Sequence, residues 1–308
     1  MEHLKLLIDT DPGVDDALAI LMAHRHADVL GLSVAAGNVG LHHTVANALK
    51  LVDTIGVATP VFAGCATPLV RAAEDAAFVH GLDGFGDTAY VPSARRAERE
   101  HAAQAILRLS HEYAGQLVFV AMAPLTNLAL ALRLDPGLPQ RVARLVIMGG
   151  AVTGRGNTSA SAEFNVGFDP EAAHIVFSAW PRIELIDWEL VTRHGIAFDV
   201  VERWLAADNP RAQFFAAISR KTRAWTRTRG RPKLLVADAL AIAVALQPDL
   251  VTRAEDHHIA IELDGRLTRG ATVVDWENRS GHAANTRIVL AVDQARFETL
   301  VASALDGG

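Results

Sequence analysis

Short, nearly uniform apolar runs alternate along this chain with longer amphipathic segments, and that alternation constrains the fold more than any single motif. The runs are LKLLID (4–9), VLGLSVAAGN (29–38), PVFAG (60–64), QLVFVAM (116–122), RLVIMGG (144–150) and IELIDW (183–188). A strand buried on both faces has no solvent side to mark, so it reads as continuous apolar sequence, the pattern of a parallel sheet covered on both sides. Helix-like segments fill the intervals at 15–26, 42–56, 98–114, 125–134 and 170–180. Asp169 and Pro170 give the last of these an N-cap and a first-turn proline. The expected architecture is α/β: an open, mostly parallel, Rossmann-like sheet flanked by helices. Residues 193–247 read as mainly helical, and 259–276 as a hairpin turning at Asp264-Gly265. A final helix is expected over about 292–305. No repeat or low-complexity linker interrupts the 308 residues, so a single domain over 1–308 is expected.

In an open parallel sheet, ligands bind beyond the carboxyl ends of the strands. Polar residues collect at those ends here. LLID runs into Asp9, Asp11, Asp15 and Asp16, four aspartates within eight positions; LSVAAGN ends on Asn38; LVIMGG leads to a loop bearing Gly and Asn. Carboxylates so crowded repel one another, and something must offset the repulsion. Asp11 capping a helix that begins near Pro12, with acidic residues in its first turn, accounts for one or two of them. A hard cation accounts for more: Asp11 and Asp16 lie across a turn where Gly13 permits an unusual backbone, and oxygen ligands select Mg²⁺ or Ca²⁺. No Cys/His pair has zinc-like spacing. The D-T-D strand end also fits haloacid-dehalogenase-type phosphotransferases, with the first aspartate as nucleophile, but PGVDD follows and nothing later completes that set.

Composition narrows the partners. The 35 acidic residues exceed the 29 basic ones, for a net charge of -6, which argues against a nucleic-acid binder that works by broad phosphate neutralisation. The single cysteine, Cys65, rules out an intrachain disulfide and fits a reducing compartment. No apolar run approaches the ~20 residues that span a bilayer. LKLLID begins almost at once, leaving no room for a signal peptide, so a cytoplasmic protein without a membrane or nucleic-acid partner is expected.

The octet DTDPGVDD (9–16) resembles the signature of the inosine/uridine-preferring nucleoside hydrolases. Further segments are similar in the same order: AAGN (35–38), FAGCATPLVR (62–71), HGLDGFGD (80–87), APLTNLALALRLDP (123–136), LVIMGGAV (145–152), GNTSASAEFNVGFDPEAAHIVF (156–177) and ADALAIA (237–243). Together they cover nearly the whole chain.

The resemblance implies one Ca²⁺ held by Asp11, Asp16 and Asp238, with the backbone carbonyl of Met122 as a further ligand. It implies that Asp15 and Asn38 take the 2′ and 3′ hydroxyls of ribose, that Asn157, Glu163 and Asn165 take its 5′ and 3′ sides, and that Met148 packs beneath the sugar. It also implies a homodimer or homotetramer. Asp9 is expected to support the turn from behind.

The reaction this suggests is hydrolysis of an N-glycosidic bond through a ribosyl cation-like state. Asp11 would be both ligand and general base for a calcium-bound water. The chain departs from its relatives at Ala237, where many carry a histidine proposed to protonate the leaving base and others a tryptophan that stacks on a purine. His80, Trp225 and Arg229 are the candidates to compensate. If Ala237 marks lost catalysis, the second class of function is a calcium-dependent nucleoside- or ribose-binding protein.

Overall fold

The computed structural model describes residues 4–306; the outer three and two residues of the expected 1–308 range lie outside it. Nine strands form one sheet: β1 (Lys5–Thr10), β2 (Asp28–Val34), β3 (Val61–Ala63), β4 (Val118–Ala121), β5 (Arg144–Met148), β6 (Ile183–Ile186), β9 (Val251–Ile261), β10 (Thr272–Asp275) and β11 (Thr286–Val292). Two short strands, β7 (Ile196–Ala197) and β8 (Lys233–Leu234), pair separately. The sheet order is β10-β9-β11-β6-β5-β4-β1-β2-β3, parallel from β11 to β3, with β9 and β10 antiparallel at one edge.

The apolar runs are uniform because successive side chains enter different cores. Leu6 and Ile8 of β1 join one cluster and Leu7 the other; Val118 and Val120 of β4 join the first, Phe119 and Ala121 the second. Each face is covered by helices, so neither needs polar residues. A fully buried Leu, Ile, Val or Phe contributes about 1.5–3 kcal/mol relative to exposure, which makes both clusters substantial.

The helices Val14–His26, Leu41–Ile55, Thr126–Leu134 and Pro170–Ala179 lie where periodicity places them. Asp169 caps the last through the Ala172 N–H at 3.0 Å. The helix expected from residue 98 starts later, at Ala102, because Glu98 pairs instead with Phe62 at the sheet edge and donates its N–H to the Val61 carbonyl. The hairpin is present, but Asp264-Gly265 is not a two-residue turn. Strand pairing ends at Ile261–Thr272, and the Glu262 carboxylate accepts the N–H groups of Asp264 and Gly265 inside a longer loop. The helix Gln294–Leu305 begins after Asp293, its cap.

Order along the sheet reverses between β1 and β4, which run outward as β1-β2-β3 and β4-β5-β6. A crevice opens where such strands part, beyond their carboxyl ends. Asp9 to Asp11 and Met122 stand at that point.

Candidate active site

The crevice holds a cavity of about 200 Å³. Asp15, Asn38, Met122, Met148 and Asp238, which make what we call its floor, line it together with Asn157, Glu163 and Asn165. His80, Trp225, Arg229 and Ala237 line it as well. Asp11 and Asp16 lie next to this floor, 1 % and 0 % exposed. Segments more than 200 residues apart in sequence thus meet at one place.

The turn after β1 builds the floor. Asp11 does not cap the following helix. The residue before that helix is Gly13, and its N–H is held by the Asp16 carboxylate at 2.9 Å. The other Asp16 oxygen accepts the Thr10 hydroxyl at 2.5 Å and the Asp11 N–H at 3.3 Å. The Asp11 carboxylate accepts the Asn38 N–H at 2.6 Å, and the Asn38 amide donates to the Asp11 carbonyl and to Asp16. Glycine is needed here for room rather than for unusual dihedrals: Gly13 has extended backbone. A Cβ on Gly13 would strike His80 and Asn38, and one on Gly37 would strike the Asp11 carboxylate.

Asp9 lies on β1 itself, fully buried, where one oxygen accepts the Ser33 hydroxyl and the Asn127 amide at 2.5 and 2.9 Å. It braces β1 against β2 and the helix Thr126–Leu134 rather than the turn. A phosphatase nucleophile would need to meet solvent and substrate, so this burial rules against the haloacid-dehalogenase reading.

Burial without a counter-charge dominates the electrostatics. Asp15, Asp16 and Asp238 bring carboxylate oxygens within 4.8 Å of one another. Burial, then repulsion from Asp16, holds Asp11 well above the usual carboxylate range; burial, then Asp15, does the same to Asp238. Burial raises Asp15 to about 6 and Asp9 and Glu163 to about 7. The backbone N–H of Ala237 favours ionised Asp15, so the residue lacking a functional side chain still contributes its main chain. Glu163 caps the short helix Phe164–Phe168 and also accepts the Gly150 N–H at 2.8 Å. Asn165 donates its amide to the Met122 and Met148 carbonyls at 2.7 and 3.2 Å.

His80 is nine-tenths buried, and burial lowers its pKa to about 4. Its Nδ1 accepts the Val14 N–H at 3.2 Å, so the ring is neutral with its proton on Nε2 and is not an imidazolium reservoir. Trp225 stacks under the Arg229 guanidinium at 4.5 Å and faces Phe78 at 6.2 Å, with Arg231 at 5.8 Å. Phe78, Trp188 and Arg231 line the cavity without having been singled out from sequence. An isolated exposed aromatic or a run of arginines carries no positional signal.

No helix of the described residues is long and apolar enough to cross a membrane. The family model of the inosine-uridine preferring nucleoside hydrolases matches residues 6–299. A pyrimidine-specific ribonucleoside hydrolase of Escherichia coli, RihB, is 32 % identical over all of this chain and 98 % of its own length. Among solved structures, an inosine-guanosine nucleoside hydrolase is 33 % identical with a TM-score of 0.92, and a purine-preferring ribonucleoside hydrolase from Gardnerella vaginalis is 30 % identical with a TM-score of 0.91; each covers 98 % of both chains. The switch-point crevice, the acidic floor and these matches agree: the chain belongs to the inosine-uridine preferring nucleoside hydrolase family, enzymes that hydrolyse the N-glycosyl bond of nucleosides.

Proposed function

We propose that this chain hydrolyses ribonucleosides to ribose and free base with a Ca²⁺ held by Asp11, Asp16, Asp238 and the Met122 carbonyl, and with Asp11 as general base. The observation that carries this reading is the convergence of the Asp15, Asp16 and Asp238 carboxylates at the switch point, with buried Asp11 beside them through its N–H to Asp16 and its carboxylate on the Asn38 N–H. Their donors are all hard oxygens, which suit Ca²⁺, and their mutual repulsion is what a divalent cation offsets. When bound, the ion supplies fixed positive charge that makes a coordinated water easier to deprotonate.

The protein's own groups do the rest. Asp11 accepts the proton of the attacking water, and the Asn38 N–H keeps its carboxylate oriented. Asp15 faces the cavity, where it suits a ribose hydroxyl, with Asn38 beside it. Asn157, Glu163 and Asn165 take the other side of the sugar, and Met148 supports it from below. The negative floor favours a sugar that gains positive charge as the bond to the base breaks.

The leaving base meets Trp225 and Phe78 as stacking surfaces and Arg229 and Arg231 as positive charge. Neutral His80 offers a hydrogen bond from Nε2 and no full positive charge. The relatives include purine- and pyrimidine-selective enzymes, and we assign the choice of base in this chain to these aromatic and basic side chains.

Reducing-sugar release from inosine, adenosine, guanosine, uridine, cytidine and p-nitrophenyl riboside tests the proposal. Turnover of at least one natural ribonucleoside is expected. Good activity on p-nitrophenyl riboside alone would show that leaving-group activation is missing. Tight binding with no turnover would establish the binding-protein alternative.

A further inference from the structure

Beyond the floor, the cavity depends on a glycine-rich loop, residues 149–163, that carries Asn157 and ends on Glu163. Most of its tip is exposed, so its position must be set at its stem. Two buried carboxyl groups sit there. Asp187 follows β6 and is 0 % exposed; Glu189 is 8 % exposed. Asp187 accepts the Val152 N–H at 3.1 Å and caps its own helix through the Leu190 N–H at 2.9 Å. One Glu189 oxygen accepts the Thr153 N–H at 3.0 Å, the Thr153 hydroxyl at 2.6 Å and the Arg155 N–H at 3.4 Å. Its other oxygen is buried with no hydrogen-bond partner, and the Asp187 side chain lies within hydrogen-bonding reach of the Glu189 side chain. Trp188, between the two, lines the cavity and donates its N–H to the Gly150 carbonyl at 2.9 Å.

We propose that Asp187 and Glu189 act as a clasp, two carboxyl groups joined by one shared proton, that positions the 149–163 loop and the Trp188 wall against the substrate. They are positioning residues and touch no reacting atom. Two buried carboxylates in hydrogen-bond contact cannot both stay ionised, and one proton between them gives the orphaned Glu189 oxygen its partner. The titration directions agree. Burial and the neighbouring Glu189 raise Asp187 to about 8; burial acts upward on Glu189 too, but hydrogen bonds from Asp187 and Thr153 outweigh it and hold Glu189 down. The arrangement anchors three loop positions, 152, 153 and 155, in the stretch leading to Asn157. A loop that is loosened loses ground-state contacts before it loses chemistry.

The inference rests on the assignment of ribose to this loop, and the test separates the two. Glu189→Ala, Glu189→Gln and Asn157→Ala are compared in the full chain, with p-nitrophenyl riboside for kinetics and hydrogen exchange for the loop amides. Glu189→Ala is expected to raise KM about tenfold while kcat stays within about threefold, and to speed exchange at Thr153 and Arg155 about tenfold or more. Glu189→Gln is expected to restore both to within about twofold, since its amide donates to Asp187 while its carbonyl still accepts from Thr153. Unchanged KM in Glu189→Ala beside a raised KM in Asn157→Ala overturns the clasp alone. If Asn157→Ala also leaves KM unchanged, the ribose assignment of the loop fails and the clasp's role with it. Should Glu189→Ala not fold, Thr153→Val removes one of the same bonds, and an unchanged KM and exchange rate there overturn the proposal.

Discussion

The floor and the rim of the cavity are built in opposite ways. At the floor, Asp11, Asp16 and Asp238 are almost fully buried, and Asp11 and Asp16 are held by main-chain N–H groups, a hydroxyl and glycines that leave no spare room. At the rim, Phe78 is 65 % exposed and Trp225 is held by stacked arginines on a surface helix. A rigid charged floor suits a step common to all substrates, stabilising the ribose as it becomes cationic. An exposed aromatic rim suits the part of the substrate that differs, the base. Under the proposed assignment, catalysis and selectivity would sit on separate segments and could be varied separately.

Variants at each level test that separation. Asp11→Asn or Asp11→Ala is expected to lower kcat by more than about 100-fold, and by a similar factor for every base that the parent turns over. A variant whose loss depended strongly on the base would break the comparison. Trp225→Ala is expected to lower kcat/KM by about 2- to 10-fold, the scale of an aromatic contact, and to reorder the bases; equal losses across the panel would place Trp225 outside the base contact.

The smallest effect is on stability. Asp9, Asp15 and Glu163 have folded values of about 7, 6 and 7, raised by burial. A raised carboxyl binds its proton more tightly folded than unfolded, so its contribution is full below about pH 4 and is lost as pH rises through 6 to 7. The chelated protein should therefore lose about 5 °C or more in Tm between pH 5 and pH 8, and Ca²⁺ bound by the neighbouring Asp11, Asp16 and Asp238 should separately raise the Tm at pH 8. A flat or rising Tm for the chelated protein would contradict the electrostatics of the floor.

The parallel sheet was legible in the sequence because double-sided burial leaves its strands uniformly apolar. The floor was legible as a group of residues because four aspartates at one strand end have few other uses. Its internal wiring was not. Asp16, rather than Asp11, secures the helix start; Gly13 serves by its small size with ordinary extended dihedrals; and Asp9 braces neighbouring strands. Those facts depend on which oxygen meets which N–H, which spacing does not encode. The late start of the helix at Ala102 and the long hairpin loop follow from tertiary pairing of Glu98 and side-chain bonds of Glu262, both invisible to local propensity. The Asp187–Glu189 pair escaped notice because D-W-E at the end of a strand looks like an ordinary helix cap.

In the proposed function, the buried carboxylates hold a Ca²⁺ on which hydrolysis depends. Reducing-sugar release by protein stripped with a chelator, measured before and after Ca²⁺ is restored, tests it most directly. Stripping is expected to abolish release of ribose, and Ca²⁺ to restore it in the parent but not in Asp11→Asn. Full activity in protein shown by elemental analysis to be free of divalent metal would contradict it.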